Sequence, residues 1–289
     1  MFTKVNLYLT AVINSIMLQN TEKPQKQKLR LIVSIINNPN RNLDEKTKDI
    51  LQEEILDLTR SSWGDYEKEK INNNFLKLDQ IILGRIKNEL CFITGGKWEH
   101  IYYKNNRVPV YRIGLTVVRK FTRNREYLWN KGIMSNGILS LLKSVLLRNS
   151  FKSFYVVFRT LEPVTYQSVV KNLNYVLPDF QGRIRPNDKE KSIALQVSKI
   201  INPTCNFDED KFIIRQAFAK NLTLAKVKLN QVEQFKNEKI KKFFMTNLDY
   251  NQGDAFIVLT KVNILIFLKY QLKKFLRCRP RNFIMKKSK

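Results

Sequence analysis

The chain has 289 residues, 43% of them hydrophobic, and its 52 Lys and Arg against 25 Asp and Glu give a formal net charge of +27. This length and apolar share exclude a globally disordered chain and permit one large domain or two small ones. The charge favours a polyanionic partner, such as nucleic acid, an anionic membrane surface or a phosphorylated ligand. A composition rich in Lys, Asn and Ile explains the same charge without a partner.

Cysteine and histidine are sparse. The three cysteines, Cys91, Cys205 and Cys278, are far apart and lack zinc-binding spacing, so we expect no metal site. A Ser-His or Cys-His nucleophile could depend only on His100, the single histidine. So few cysteines are typical of a reducing compartment, and we expect a cytoplasmic protein.

The N-terminal part of the chain reads as helical. Apolar residues recur at helical spacing within residues 1–20, which predicts an amphipathic helix rather than a signal peptide. The run at 29–36 is compatible with a short strand. Helical patterns follow over 44–63 and, more weakly, over 65–79. We treat residues 1–43 as a lead segment before the main domain.

A strand pattern begins at Gln80. QIILGRI is a short strand, and the next strand is expected to kink at Gly95 and Gly96 before KWEHIYYK. VPVYRIGLTVV, residues 108–118, is the third strand. The short loops between these strands predict an antiparallel meander.

A strand, a basic turn, a helix and a second strand follow one another in the middle of the chain. The turn supplies four cations within seven residues, and the apolar helix is predicted over 129–149. Phe151 to Arg159 is the next strand, and Pro163 is at a plausible first helical position. A helix that follows a strand directs its first N–H groups at whatever lies beyond the strand end, which suits phosphate. A solvated basic loop is the alternative.

The remaining chain predicts short elements, a basic amphipathic helix over 226–244 and a strand in GDAFIVLTKV. We expect one α/β (α+β) domain over 44–262 and a basic C-terminal tail over 263–289. Residues 269–289 hold nine Lys or Arg and no acid. That tail could bind nucleic acid non-specifically, bind an anionic membrane surface, or remain solvated.

Three segments resemble the GNAT N-acyltransferase superfamily: VYRIGLTVVRKFTR at 110–123, WNKGIMSNGILSLLKSVLL at 129–147, and FYVVFRTLEPVTYQSVVKNLNYVLP at 154–178. The last is similar to a variant whose fifth strand ends in Arg-Thr-x-x-Pro. The resemblance covers roughly residues 45–262. It implies a mixed, mostly antiparallel sheet flanked by helices.

The resemblance also implies an acyl-CoA-dependent N-acyltransferase that transfers an acetyl group from acetyl-CoA to an unknown amine. In such proteins the acyl-CoA binds where the fourth and fifth strands diverge. Amides of the fourth strand, here those of Thr116, Val117 and Val118, polarise the thioester carbonyl. The amine attacks directly, a carboxylate or water takes its proton, and often a tyrosine protonates the thiolate.

Further site residues follow from the same resemblance. The pyrophosphate loop matches Arg123, Asn124 and Arg125, where this chain lacks the family's glycines and has Glu126; a shifted alignment uses Gly132 instead. Tyr166 is the candidate acid. Glu99 is the candidate base, and its neighbour His100 points to the opposite face of the same strand.

Two other functions are compatible with the sequence. The first is a non-catalytic basic protein that binds nucleic acid or a ribonucleoprotein. The second is a membrane-peripheral protein that docks through residues 255–289. The enzyme requires a gap between the strands at 110–118 and 153–159, whereas the nucleic-acid-binding protein requires Lys and Arg gathered on one continuous face and no such gap.

Overall fold

The computed structural model describes residues 31–64, 66–119, 141–147, 149, 152–173, 175–219 and 222–265. The predicted N-terminal helix, most of the basic turn and the basic tail lie outside these residues. The strands are β1 (Leu31–Asn37), β2 (Gln80–Ile86), β3 (Glu89–Tyr103), β4 (Asn106–Ile113), β5 (Val117–Val118), β6 (Phe154–Thr160), β7 (Val176–Leu177), β8 (Asn206–Asp208), β9 (Ile213–Arg215) and β10 (Ala255–Val262).

Helices flank these strands. They are α1 (Pro39–Asn42), α2 (Glu45–Trp63), α3 (Lys68–Ile71, continued by a π-helical turn over Asn72–Leu76), α4 (Pro163–Asn172), α5 (Asp188–Ile201), α6 (Leu222–Glu233) and α7 (Glu238–Asn247). Residues 141–147 are also helical. None of the described helices is long and apolar enough to cross a membrane.

One mixed sheet organises the described chain. Its order is β1-β2-β3-β4-β6-β10-β9-β8, with β5 paired to β3 and β7 paired to β10. Every pairing is antiparallel except that of β4 with β6, which is parallel. This architecture confirms the predicted fold class, a mostly antiparallel sheet flanked by helices.

The first half of the sheet begins earlier than the predicted domain. β1 lies inside the segment 1–43 that the sequence set apart as a lead, and it pairs with β2 along its whole length. The following helix α2 begins where its cap predicts: the side chain of Asp44 accepts a hydrogen bond from the N–H of Thr47 at 2.8 Å.

The predicted kink in the second meander strand was wrong. β3 runs without interruption through Gly95 and Gly96. The extra residue that breaks the regular pairing lies on the partner strand, between Ile113 and Val117. The predicted third strand is correspondingly split, since β4 ends at Ile113 and β5 begins at Val117.

Each face of the sheet carries apolar side chains that are covered by helices. On the first face, residues 141–147, α4 and α7 pack on β4, β6 and β10. On the second face, α2 and α3 cover β2 and β3, while α5 covers β4, β6 and β10. The predicted helix over 129–149 therefore packs on both neighbouring strands in the part that is described.

Candidate functional site

A β-bulge interrupts the strand formed by β4 and β5. Gly96 pairs with Ile113 and Ile93 pairs with Val117, so three steps along β3 face four steps along the other strand. The extra residue lies between the two pairs, where the N–H of Gly114 donates to the carbonyl of Gly95 at 2.8 Å. Such a bulge bends the strand and ends its regular pairing.

The bulge opens a gap between β4 and β6. The two strands pair in parallel only where 110–112 face 155–157. Beyond that point 158–160 pair with β10, and 117–118 pair with β3. Within the described residues no ladder pair joins 113–118 to 158–160. The sheet therefore has the divergence between these strands that an acyltransferase requires.

The two amides of β5 differ in direction. The N–H of Arg119 donates to the carbonyl of Cys91 on β3 at 2.9 Å. Because N–H directions alternate along a strand, the N–H of Val117 faces β3 and that of Val118 faces away from it. On that side the carbonyl of Val118 accepts from the hydroxyl of Ser62 on α2 at 2.8 Å. Thr116 lies in the bulge before β5, where this alternation does not apply.

A cavity of about 1240 Å³ fills the gap and reaches both faces of the sheet. Its walls at the strands include 113–116 and 158–162. On the second face it is bounded by Tyr66, by α3 and by the end of α5, and on the first face by α4 and α6. A channel of this shape lets two reactants approach one point from opposite sides of the sheet.

Among the predicted binding residues, Thr116 lines this cavity. Its hydroxyl is hydrogen-bonded to that of Thr94 at 2.8 Å, which holds the bulge against β3. Val117 is fully buried on the opposite side, under α2. The other predicted binding residues, Arg123, Asn124, Arg125 and Gly132, lie outside the described residues.

Tyr166, the predicted acid, does not line the cavity. Its side chain is fully buried on the first face, among the aromatic rings of α7. The hydroxyl donates to the carbonyl of Pro178 and accepts from the N–H of Phe180 at 3.1 Å. Burial raises the pKa of Tyr166 above its usual value. Both contacts of the hydroxyl are with backbone groups that do not line the cavity.

Glu99, the predicted base, also lies off the cavity wall. The Nε of Arg112 donates to its carboxylate at 2.6 Å, and both side chains are half-buried on the second face. Its neighbour His100 is exposed. The ion pair with Arg112 gives Glu99 a structural role that the strand alternation alone did not reveal.

Sequence reasoning missed four cavity residues: Tyr66, Arg159, Glu162 and Lys228. Arg159 directly follows the apolar run FYVVF of β6 and is the arginine of the Arg-Thr-x-x-Pro segment, which the sequence analysis gave no role in the site. Tyr66 accepts a hydrogen bond from the side-chain amide of Asn74 at 2.6 Å, and burial raises its pKa.

Glu162 and Lys228 form an ion pair in the cavity wall. Glu162 precedes α4 and also accepts a hydrogen bond from the hydroxyl of Thr165 at 3.1 Å. Lys228 is on α6, and its side chain is 9% exposed against 25% for Glu162. Among the described residues, Glu162 and Glu67 are the carboxylates that line the cavity.

Arg159 is held in the wall by neutral groups. One guanidinium nitrogen donates to the carbonyl of Ala217 at 3.2 Å, and the guanidinium lies 4.2 Å from the ring centre of Phe218. Burial lowers the pKa of Arg159 to about 10, and the positive charge of Arg112 acts in the same direction. The side chain therefore remains charged at neutral pH in an environment that disfavours its charge.

Arg159→Met is expected to raise the free energy of unfolding at pH 7 by roughly 1 kcal/mol. A cation whose pKa is lower in the folded state destabilises that state at every pH below the folded pKa, so removing it relieves a cost. The lost contacts with Ala217 and Phe218 offset part of the gain. Urea denaturation measures the difference, with the exposed Arg107→Met as control. A loss of stability in Arg159→Met would contradict this account.

No protein-family model and no curated protein matches the chain. Among solved structures, it is similar to an aminoglycoside 6'-acetyltransferase type Ii (18% identity, 52% of this chain and 89% of that one, TM-score 0.35). It is also similar to a GCN5-related N-acetyltransferase from Kribbella flavida (14% identity, 48% and 32%, TM-score 0.34). A third is N-myristoyltransferase from Saccharomyces cerevisiae with bound myristoyl-CoA (11% identity, 66% and 51%, TM-score 0.33).

All three are acyl-group transferases by name. The chain spans about a third of the Kribbella protein and about half of the yeast enzyme. At such identities and scores the similarities carry no information about substrate. No group of three or more potential metal ligands occurs in the described part of the chain.

Proposed function

We propose that the protein is an acyl-CoA-dependent N-acyltransferase whose active site is the cavity between β4 and β6. The observation that carries this proposal is the gap itself: the bulge at 113–117 separates two strands beside a cavity that 113–116 line. The gap occurs at the position that the sequence resemblance assigned to the thioester. A binding protein that acts only through a basic surface needs no such channel.

In the proposed reaction, an amine nitrogen attacks the thioester carbonyl carbon and the C–S bond then breaks. The amides of Thr116 and Val118 donate to the carbonyl oxygen as it gains negative charge. Glu162 takes the proton that the amine loses, directly or through a water molecule. The hydroxyl of Tyr66, on the second-face wall, is the candidate that returns a proton to the leaving thiolate.

Isothermal titration is expected to show acetyl-CoA binding in the micromolar range. Thr116→Trp places an indole in the gap and should weaken binding by at least about tenfold, because the thioester and the ring would occupy the same space. The matched control is Ser34→Trp, an equal enlargement on the exposed strand β1 at the edge of the sheet. Circular dichroism checks that both variants are folded.

A second variant addresses the phosphates. Arg123→Glu/Arg125→Glu should also weaken acetyl-CoA binding if the basic turn holds the pyrophosphate. An absence of heat at millimolar acetyl-CoA would overturn the proposal, and so would equal affinities for Thr116→Trp and Ser34→Trp.

A further inference from the structure

Arg159 differs from the other cationic side chains that line the cavity. Lys70 pairs with Glu67 at 2.7 Å, Lys228 pairs with Glu162, and Arg215 is paired through Asp254 and Asp208. Among the described residues, Arg159 has no carboxylate within ion-pair distance. A half-buried guanidinium without an anion is costly, and a bound anion would remove that cost.

The surroundings of Arg159 fix its position without using its hydrogen-bonding capacity. The carbonyl of Ala217 and the ring of Phe218 hold the guanidinium. Its other N–H groups donate to none of the described residues. Two described carboxylates on this face already have cations: Glu67 is bound by Lys70 at 2.7 Å and Glu99 by Arg112 at 2.6 Å. A planar guanidinium with free donors matches a carboxylate or a phosphate.

The location of Arg159 decides between these two anions. Val157 pairs with Arg112, so Arg159 lies about level with Gly114, beside the gap. Arg119, the last described residue before the rest of the basic turn, lies five residues further along the strand and therefore about 15 Å away. The gap beside Arg159 is where the proposed reaction brings the amine to the thioester. An anion at Arg159 belongs to the reactant whose amine approaches the gap.

We propose that Arg159 binds the carboxylate of the acceptor, which makes the acceptor an amino acid or another small amine with a carboxylate a few bonds from the nitrogen. The assignment of this anion to the acceptor rests on the proposed function, whereas binding of a carboxylate at Arg159 is measured without an acyl donor. The carboxylate of the acceptor would pair with Arg159, as carboxylates of the protein already pair with the other cations of the cavity. It would also orient the amine towards the thioester carbonyl.

Saturation-transfer NMR on the full chain provides the test, with a mixture of the twenty L-amino acids as one probe and a mixture of their amides as the other. The acids should bind, and the affinity of the protein for the amides should be lower by about ten- to a hundredfold. Arg159→Met should abolish binding of the acids. Arg107→Met, an exposed arginine on the neighbouring strand β4, should leave it unchanged. Each measurement is made with and without desulfo-CoA.

The outcomes separate this inference from the proposed function. Carboxylate binding that depends on Arg159 supports the inference, even if acetyl-CoA gives no heat in the titration. Acids and amides that bind equally, acids that bind to Arg159→Met as they do to the unmodified chain, or no binding of either mixture would overturn it. If Arg159→Met instead weakens desulfo-CoA binding while the acids do not bind, Arg159 contacts the acyl donor and the inference is wrong.

Discussion

Gly96→Ala is expected to destabilise the protein by about 3 kcal/mol or more, enough to remove most folded material from a soluble extract. A Cβ at this position would lie 2.4 Å from Cε1 of Tyr111 and 2.7 Å from the carbonyl oxygen of Arg112. Tyr111 is fully buried and packs edge-on against Trp98, so its ring cannot move aside. The backbone oxygen is fixed by the β3–β4 ladder.

Gly182→Ala is the matched control. Gly182 has a φ of +67° in an exposed turn, and a Cβ there meets nothing within 4 Å. Its substitution costs only the left-handed backbone strain of alanine, about 1 kcal/mol. Thermal or urea denaturation compares the two variants. If Gly96→Ala costs no more than Gly182→Ala, the close packing of Tyr111 on β3 is not as described.

Local pattern was sufficient for much of the sheet. The alternation and turn signals around QIILGRI predicted β2 with its observed bounds, and the run FYVVFRT contains the whole of β6. Both strands are apolar because helices cover them on both faces. The resemblance to the acyltransferase family then implied the gap between β4 and β6, although the bulge that opens it has no signature in residues 113–117 beyond Gly114.

Capping residues determine the starts of two helices that differ from the prediction. Residues 193–201 were expected to be a short element, yet they belong to α5, which begins at a capping box between Asn187 and Glu190. The single helix expected over 226–244 is divided into α6 and α7, because Asn237 caps a new helix by accepting from the N–H of Ile240. Apolar periodicity continues through both positions and does not reveal these boundaries.

The chemistry of the site was harder to predict than its place. Tyr66, Arg159 and Lys228 come from three distant parts of the chain, and only tertiary packing brings them to one cavity. Conversely, Glu99 and Tyr166 had suitable positions in the element order. Neither side chain lines the cavity, and each contacts a group 12 or 13 residues further along the chain, Arg112 for Glu99 and the carbonyl of Pro178 for Tyr166.

Lys228→Met is expected to destabilise the protein by about 2–3 kcal/mol, the second large effect. Methionine fills similar space, so the loss arises from the charge and not from packing. The carboxylate of Glu162 would lose its ion-pair partner in a wall where its side chain is only 25% exposed. The double variant Lys228→Met/Glu162→Gln should recover part of the loss, because it removes the negative charge that Lys228 balances.

Lys191→Met is the matched control for this prediction. Lys191 also lies on a helix and pairs with a carboxylate, that of Asp210, at 2.6 Å, but the Asp210 side chain is 85% exposed. Water screens such a pair, so its loss should change stability little. Urea denaturation of the three variants at pH 7 decides the point. Equal losses for Lys228→Met and Lys191→Met would show that the cavity wall is open to water at Glu162. Water would then solvate the Glu162 carboxylate well enough to keep it charged without Lys228. In that case the proposed base would not depend on the ion pair.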